Sequence, residues 1–313
     1  MTEEAQSISF TLNSKSLVAF DGETILQAAQ RAGENIPHLC YAEGLRADGN
    51  CRACVVEIEG ERALAPSCCR RPTQGMMVTS DSGRAYQSQS LVLELLRAEV
   101  GDAHFTNSSE LDQWCEKLGV DNSRFPARSQ PKADISHPAI AVNLEACIQC
   151  TRCLRACREE QANDVIGFAH RGAHAEIVFD LADPMGESSG VGCGECVQAC
   201  PTGALMPAGG VGLDQIDRRV DSVCPYCGVG CLLTYHIKDD RIRYVTGRDG
   251  PSNHGRLCVK GRYGFDYIDH PQRITTPLIR REGIAKGLND DFDPAEPLRM
   301  FREATWELSL IHI

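Results

Sequence analysis

Seven cysteines near the middle of the chain occur at spacings typical of iron–sulfur ligands. They form two runs, Cys147-x2-Cys150-x2-Cys153-x3-Cys157 and Cys193-x2-Cys196-x3-Cys200-Pro201. Thiolates at these spacings bind [4Fe-4S] cubanes, and the last cysteine of each run usually ligates the cluster of the other run. We therefore predict two neighbouring cubanes that pass single electrons between them. The first is expected on Cys147, Cys150, Cys153 and Cys200, and the second on Cys157, Cys193 and Cys196.

The second of these cubanes is one thiolate short. Its fourth ligand is expected three residues before Cys193, and that position is Gly190. Two explanations remain open. Either the cluster is incomplete, as a [3Fe-4S] cluster or with a ligand other than cysteine, or residue 190 is a sequence error.

A four-cysteine set nearer the N-terminus reads Cys40-x10-Cys51-x2-Cys54-x13-Cys68. Its first loop contains Gly44, Gly49 and Asn50. Small, flexible residues let backbone N–H groups approach cluster sulfurs, so the set predicts an iron–sulfur cluster. A structural zinc site is the alternative, although such sites usually pair two close Cys-x2-Cys hairpins. Cys69 adjoins Cys68, and only one of the two can ligate easily. The resemblance of this segment to known [2Fe-2S] domains favours Cys68, which leaves Cys69 as a small buried residue or a spare thiol.

A last set of four cysteines reads Cys224-x2-Cys227-x3-Cys231-x26-Cys258. Four cysteines alone are compatible with zinc as well as with a cubane. The segment Val259-Lys260-Gly261 follows the set directly. Apolar residues at 223, 232–235 and 242–245 predict short strands around this site.

The composition limits the class of protein. With 313 residues, the chain is long enough for two to four domains. Its N-terminus carries no export signal, so the 17 cysteines indicate metal binding rather than disulfides. No stretch approaches the ~20 apolar residues of a membrane helix, and a net charge of −11 disfavours nucleic acid as a partner. We therefore predict a soluble, cytoplasmic protein without membrane insertion.

Residues 8 to 35 predict the elements that position the N-terminal cysteine set. Alternating apolar residues from residue 8 and a second apolar run at 17–20 predict two strands joined by Asn13-Ser14. Thr24 and Gln27 match the capping box of a helix that ends near Gly33. A further strand is predicted at 55–58, directly after Cys54. Strand, strand and helix in this order are typical of the start of a β-grasp ferredoxin domain.

Residues 84–125 show a helical pattern, and residues 126–138 read as a linker. The apolar residues that recur at spacings of three and four are Leu91, Val92, Leu95 and Leu96. The linker is indicated by prolines among polar residues, which are Pro126, Pro131 and Pro138.

In combination, these motifs resemble the large, molybdenum-containing subunit of cytosolic NAD-dependent formate dehydrogenases. The segment CYAEGLRADGNCRACVVEI, from Cys40, resembles the N-terminal [2Fe-2S] domain that this family shares with the large complex I subunit and iron-only hydrogenases. The Cys-Val-Lys-Gly segment at Cys258 resembles the cubane-binding start of molybdenum or tungsten bis-pterin oxidoreductases. The segment YGFDYIDHPQRITTPLIR, from Tyr263, resembles formate dehydrogenase large subunits.

The resemblance implies an α+β chain of several domains. They are a β-grasp [2Fe-2S] ferredoxin domain at 5–83, a helical remnant at 84–125, the linker at 126–138, a two-cluster [4Fe-4S] ferredoxin domain at 139–215, the [4Fe-4S] N-terminal domain of a molybdopterin oxidoreductase at 216–275, and a truncated start of the molybdopterin domain at 276–313. In this family the lysine of the Cys-Val-Lys-Gly segment lies between cubane and pterin, which makes Lys260 the expected cofactor-binding residue.

One cluster of complex I relatives is expected to be absent. Those proteins bind a cubane in the region of residues 84–125 through the pattern H-x3-C-x2-C-x5-C. Here His104 is followed at those offsets by Ser108, Leu111 and Lys117, and Cys115 is out of register. We expect His104 and Cys115 to be structural, and the loss argues against a complex I subunit.

The resemblance also implies a reaction and partners. Formate would be oxidised at a Mo-bis(molybdopterin guanine dinucleotide) centre, and electrons would pass from the last cysteine set to the paired cubanes and then to the [2Fe-2S] cluster. A partner subunit with FMN would reduce NAD, and a small iron–sulfur subunit is a second expected partner. No catalytic residue is expected in this chain. The active-site residues of the family lie beyond position 313, and residues 308–313 differ from the family, which predicts a truncated reading frame.

Three alternatives remain open. The chain could belong to another molybdopterin oxidoreductase with the same electron-transfer segment, or to a complex I-like or hydrogenase subunit. By itself, it could also act as an electron carrier without a catalytic centre.

Overall fold

The computed structural model describes residues 7–100, 109–129, 131–208, 216–287 and 292–311. The chain divides into two compact units, Met1–Tyr263 and Gly264–Ile313. Helices and mixed sheets occur together in the first unit, as expected for the α+β class.

The N-terminal part of the first unit is a five-stranded sheet with one helix. Its elements are β1 (Ile8–Leu12), β2 (Lys15–Ala19), α1 (Ile25–Arg31), β3 (Val55–Ile58), β4 (Ala65–Pro66) and β5 (Met77–Thr79). The strand order is β2-β1-β5-β3-β4, with β1 and β5 parallel and the other neighbours antiparallel. The core between sheet and helix is formed by Phe10, Leu12, Leu26, Val56 and Val78, each at most 2% exposed.

The local signals predicted for this part are confirmed. Asn13 and Ser14 join β1 and β2 with left-handed φ angles of 49° and 67°. The Thr24 side chain accepts from the Gln27 N–H at 3.3 Å, and the Gln27 side chain accepts from the Thr24 N–H at 2.9 Å, which is the reciprocal capping box. Gly33 follows α1 at φ 77°, where a side chain would be strained.

Two helices follow, α2 (Gly83–Val100) and α3 (Glu110–Leu118), and the predicted apolar face of α2 is only half confirmed. Val92 and Leu96 are partly buried against the core that contains Leu93. Leu93 is fully buried, whereas Leu91 and Leu95 are 39% and 44% exposed. Buried Gln89 lies on the same side as Leu93 and donates to the carbonyls of Val55 and Ser80 at 2.9 and 3.0 Å. A polar residue therefore fixes this face, and apolar periodicity alone could not reveal it.

His104 and Cys115 are the two further residues of this helical region that were expected to be structural. Cys115 on α3 is buried against Leu39, Leu93 and Leu111. His104 lies outside the described residues.

The middle of the first unit consists of short elements around the two cysteine runs. These are β6 (Ile140–Val142), α4 (Arg152–Arg155) with a π-helical turn at Ala156–Glu160, β7 (Ile166–Ala169), β8 (Glu176–Phe179), α5 (Glu195–Ala199) and β9 (Leu205–Pro207). Single 3-10 turns occur at Leu144–Ala146, Gly172–His174 and Met185–Glu187. β6 pairs with β9 and β7 pairs with β8, both antiparallel. The first and last strands of this segment therefore lie side by side, with Ile140 opposite Pro207.

The last part of the first unit is a three-stranded antiparallel sheet. It contains β10 (Arg218–Val223), β11 (Leu232–Lys238) and β12 (Arg241–Gly247), and α6 (Val259–Tyr263) follows. The strands predicted around the last cysteine set are confirmed.

The second unit contains few regular elements. β13 (Leu278–Arg280) pairs antiparallel with β14 (Phe301–Glu303), and α7 (Trp306–Ile311) follows. Two 3-10 turns lie at Asp266–Asp269 and Pro297–Arg299. Trp306, Leu310 and Ile311 on α7 are each at least 61% exposed.

Candidate iron–sulfur sites

The four cysteines of the N-terminal set lie together and hydrogen-bond one another. The N–H of Cys40 donates to Cys51 Sγ at 3.4 Å, and the N–H of Cys51 donates to Cys40 Sγ at 3.5 Å. Hydrogen bonds with Cys51 and Cys68 lower the pKa of Cys40, and the same contacts raise the pKa of these two partners. A hydrogen bond with Cys68 lowers the pKa of Cys54 to about 7. The result is a sulfur-only donor set with N–H groups directed at sulfur.

Cys69 is a fifth thiol beside this set and is exposed rather than buried, so one of its two predicted roles is wrong. Its Sγ lies 3.6 Å from the Sγ of Cys68. A Cβ added to Gly49 would lie 3.0 Å from the same Cys69 sulfur. The lack of a side chain at Gly49 therefore makes room for the Cys69 thiol.

Left-handed residues occur inside the Cys-x2-Cys loops. Arg52, Gln149 and Thr151 have φ angles of 63°, 53° and 66°. This conformation costs a non-glycine residue about 1 kcal/mol or more, and such strain clusters at ligand-binding sites. It turns backbone N–H groups inward. The N–H of Gln149 accordingly donates to Cys147 Sγ at 3.4 Å.

Cys200 lies beside the first cysteine run in space, where crossed ligation was predicted. Burial, with the charge of Cys200 adding to it, raises the pKa of Cys147 and Cys150 to about 12. Burial and the charges of these three thiols also raise the pKa of Cys153. Thiols so far from water resist ionisation, and only a bound cation would favour their thiolates.

Cys157, Cys193 and Cys196 form the neighbouring set. Burial, followed by the charges of Cys193 and Cys157, raises the pKa of Cys196 to about 12. Gly190 leaves space for a side chain, because an added Cβ would meet only Ser188 Oγ, at 3.1 Å. Its backbone is not in the left-handed region, so no strain would oppose a larger residue.

His137, which no cysteine motif indicates, lies near this set. A Cβ added to Gly192, next to Cys193, would lie 3.4 Å from the His137 ring. The Nδ1 of His137 accepts the N–H groups of Ala139 and Ile140 at 3.1 and 3.2 Å. The ring proton therefore lies on Nε2, which makes this nitrogen a donor and a poor metal ligand.

The last set, Cys224, Cys227, Cys231 and Cys258, is the most accessible. Cys227 and Cys258 are exposed. Burial and then the charges of the other three thiols raise the pKa of Cys231, which places all four sulfurs near one another. A Cβ on Gly261 would lie 3.6 Å from Cys224 Sγ, so the first turn of α6 lies directly beside the set. Lys260 is exposed on α6.

A buried arginine joins the N-terminal set to the first run. Arg155 on α4 is 1% exposed. Its guanidinium donates to the carbonyl of Cys40 and, at 3.4 Å, to the carbonyl of Cys150. It also donates to the carbonyl of Arg46. This link carries no signal in the sequence, since Arg158 is at least as close to Cys157 along the chain and is exposed.

A buried ion-pair network joins the second run to the last set. Glu195, 1% exposed, lies between Cys193 and Cys196 and pairs with Arg256 and Arg262, both at 2.9 Å. Arg262 Nε also donates to the carbonyl of Cys193 at 3.0 Å. The loop that carries Cys258 is thus fixed against the loop that carries Cys193. Sequence reasoning missed this network as well, because charged residues are seldom assigned to a core.

The described residues contain no group of three or more His, Cys, Asp or Glu side chains arranged to hold a single metal ion. Within the same ranges, no helix is both long and apolar enough to cross a membrane.

Three family models match the chain. Residues 5–83 match a 2Fe-2S iron-sulfur cluster binding domain, residues 137–206 match the ferredoxin-like domain of NADH-quinone oxidoreductase subunit 3, and residues 217–270 match a molybdopterin oxidoreductase Fe4S4 domain. Together they place a [2Fe-2S] cluster domain, a ferredoxin-like domain and an Fe4S4 domain on the chain, in the order predicted from the cysteine motifs and their resemblance to known domains.

Curated relatives are redox proteins. An NADH-quinone oxidoreductase subunit of Rhizobium meliloti is 35% identical over 287 residues, which is 88% of this chain and 33% of the relative. The NADPH-Fe(3+) oxidoreductase alpha subunit of Geobacter sulfurreducens is 31% identical, over 87% of this chain and 33% of the relative. A provisionally named formate dehydrogenase of Staphylococcus haemolyticus is 26% identical, over 87% and 32%. The chain therefore spans about a third of the length of these relatives.

A solved structure is also similar. One chain of the NAD+-reducing [NiFe]-hydrogenase in its H2-reduced state matches with a TM-score of 0.62 and 28% identity, over 67% of this chain and 91% of that one. The similarity to an NADH-quinone oxidoreductase subunit and to a hydrogenase means that the missing one-His, three-Cys set does not exclude relatives of this kind. The chain is a homologue of the Rhizobium NADH-quinone oxidoreductase subunit and of the Geobacter NADPH-Fe(3+) oxidoreductase alpha subunit, and it carries iron–sulfur domains, one of which matches a molybdopterin oxidoreductase Fe4S4 domain.

Proposed function

We propose that the chain is an electron relay whose cysteines hold one [2Fe-2S] cluster and up to three [4Fe-4S] clusters. The ligands of the [2Fe-2S] cluster, in the β-grasp domain, are Cys40, Cys51, Cys54 and Cys68. Those of the double-cubane domain are Cys147, Cys150, Cys153 and Cys200 for one cluster, and Cys157, Cys193 and Cys196 for its incomplete neighbour. The last cluster is held by Cys224, Cys227, Cys231 and Cys258.

The observation that carries this proposal is the pair of buried links between successive sites. Arg155 donates to the carbonyls of Cys40 and Cys150, and Glu195 pairs with Arg262, four residues after Cys258. Electron transfer between clusters needs short, fixed separations. Buried guanidinium groups at cluster loops fix the separations and also offset the negative charge of the clusters.

For the whole protein, we propose oxidation of formate at a Mo-bis-pterin centre and electron delivery to a partner subunit that carries FMN and reduces NAD. Support comes from the match to a molybdopterin oxidoreductase Fe4S4 domain and from Lys260, two residues after Cys258. The relative provisionally named as a formate dehydrogenase adds to it. The molybdenum centre would supply the two-electron chemistry, while this chain's thiolates hold the groups that pass single electrons. A small iron–sulfur subunit is a second proposed partner, and the complex is proposed to be cytoplasmic.

A second candidate is a subunit of a NADH-quinone oxidoreductase or hydrogenase type of complex. The observations that favour it are the 35% identity to the Rhizobium subunit and the 91% coverage of the hydrogenase chain. In this reading, the same cysteines carry electrons between other donors and acceptors.

The test is to purify the full-length gene product anaerobically with its partner subunits. Formate-dependent reduction of NAD is expected, and Cys258→Ala should suppress it because one relay site is lost. Cys69→Ala, which removes a thiol outside the proposed ligand sets, is the matched control and should retain activity. A preparation that contains its clusters but reduces NAD with hydrogen, or quinone with NADH, and not with formate would overturn the formate assignment in favour of the second candidate.

A further inference from the structure

Tyr263, the last residue of α6, places a buried hydroxyl beside the second cysteine run. This hydroxyl has no hydrogen-bond partner in the described part of the chain. A Cβ added to Gly194, which lies between Cys193 and Cys196, would be only 2.6 Å from the hydroxyl oxygen. Buried tyrosine hydroxyls usually have a partner, and one left unpaired costs about 1–3 kcal/mol. The orphaned hydroxyl therefore points to an acceptor outside the described part of the chain.

The neighbours of Tyr263 show where that acceptor lies. The ring packs against the same core as Cys196. The hydroxyl oxygen lies beside the backbone at Gly194, between Cys193 and Cys196, and burial, with the charges of these two thiols adding to it, raises the pKa of Tyr263. The space beside these sulfurs is where an iron–sulfur cluster would present sulfur atoms, and sulfur accepts hydrogen bonds.

The position of Tyr263 is fixed by its neighbour Arg262. The Arg262 guanidinium donates to the carbonyl of Cys193 at 3.0 Å and pairs with buried Glu195 at 2.9 Å. Gly194 has φ 77°, and a Cβ there would lie 2.2 Å from Arg262 Cδ. Only glycine at this position allows both side chains of α6 to approach the cysteine loop.

We propose that Tyr263 donates an O–H···S hydrogen bond to the cluster held by Cys157, Cys193 and Cys196, and so raises its reduction potential. The inference rests on the cluster proposed at these cysteines. A hydrogen bond to sulfur favours the reduced state, because that state carries more negative charge on sulfur. Tyr263 lies five residues after Cys258, so the segment that ligates one cluster sets the potential of the next.

The test is an anaerobic redox titration of the cluster-loaded full chain, followed by electron paramagnetic resonance. Tyr263→Phe is expected to lower the midpoint potential of one cluster and leave the others unchanged. The hyperfine coupling of one exchangeable proton at that cluster should be lost as well. Tyr86→Phe is the matched control, because the Tyr86 hydroxyl on α2 donates to the carbonyl of Leu118, the last residue of α3. This variant should change no reduction potential.

Cys193→Ala separates the inference from the proposal on which it rests. If this variant removes one cluster signal and Tyr263→Phe leaves the potential of that signal unchanged, the hydrogen bond is wrong and the cluster assignment stands. If no signal depends on Cys193, both are wrong. Denaturant unfolding of the cluster-loaded Tyr263→Phe variant separates this role from a structural one. A lower denaturation midpoint together with unchanged reduction potentials would show a structural role only, and would also overturn the hydrogen bond.

Discussion

Arg155 donates a hydrogen bond from its buried guanidinium to the backbone carbonyl of Cys40, 115 residues earlier in the chain. The same nitrogen reaches the carbonyl of Cys150 at 3.4 Å. One side chain thus spans two cysteine sets that family models assign to different domains. This contact makes the two sets a single structural unit.

Arg155→Met should destabilise the chain by about 3 kcal/mol, because it leaves several buried carbonyls without a donor. The measurement is denaturant unfolding of the anaerobic, cluster-loaded protein. Arg158→Met is the control, since Arg158 pairs with Asp164 at an exposed position, and a change below about 1 kcal/mol is expected. Equal effects of the two substitutions would show that the link between the sets contributes no stability.

Gly190→Cys should complete the cluster of Cys157, Cys193 and Cys196. An added Cβ would meet only Ser188 Oγ, at 3.1 Å, so a small shift of this serine hydroxyl makes room for the first carbon of the new side chain. The unmodified protein should hold fewer than the roughly 14 iron atoms that one [2Fe-2S] and three [4Fe-4S] clusters contain, and should show a [3Fe-4S] signal when oxidised. The variant should gain iron and lose that signal.

Gly190→Ala is the control for this experiment, because it adds the Cβ without the thiolate and should behave as the unmodified protein. If the unmodified protein already holds three intact cubanes, the missing-ligand idea is wrong, and water or a nearby side chain completes the site.

Removal of iron should unfold the region of residues 139–208 before the N-terminal sheet. Its helices and strands are three to five residues long, whereas the sheet has its own core around Phe10, Leu12 and Val56. Ligation of buried cysteines contributes to folding. Hydrogen exchange after anaerobic chelation should show fast exchange first in residues 139–208, and a mock treatment without chelator should not. Equal protection of both regions in the iron-free protein would contradict this order.

His236 should make the chain less stable in mild acid. Its ring stacks on Tyr244 at 4.0 Å, its Nε2 is 2.9 Å from Thr246 Oγ1, and its Nδ1 is buried without a partner in the described structure. Burial, with the charge of Arg219 adding to it, lowers the pKa of His236 to about 4. The unfolded chain binds this proton near pH 6.5 and the folded chain only near pH 4, so stability is full above pH 6.5 and falls as the pH drops towards 4.

The loss between pH 7.5 and pH 5 should be about 1–2 kcal/mol after solvent screening. His236→Phe keeps the stack and should reduce the loss by that amount in denaturant unfolding at the two pH values. His170→Phe is the control, because His170 is 64% exposed and its substitution should leave the pH dependence unchanged. An unaltered pH dependence in His236→Phe would show that another group titrates.

The sequence alone determined which residues can bind metal and the local elements near them. Cysteine spacing is a chemical signature, and the Thr24 capping box, the Asn13-Ser14 turn and the strand at Val55–Ile58 depend on near neighbours in the chain. The gap at Gly190 was visible for the same reason. Such features need no knowledge of how distant segments pack.

The tertiary structure decided what distant segments do to these sites. It turned α2 so that Gln89 and Leu93 face inward, where Gln89 donates to the backbone carbonyls of Val55 and Ser80. It buried Arg155, Glu195 and Arg262 between cysteine loops and brought the Tyr263 hydroxyl to Gly194. In the sequence these are ordinary polar residues. Burial of a charge is favourable only where a specific partner compensates the loss of water, and those partners lie up to 115 residues away.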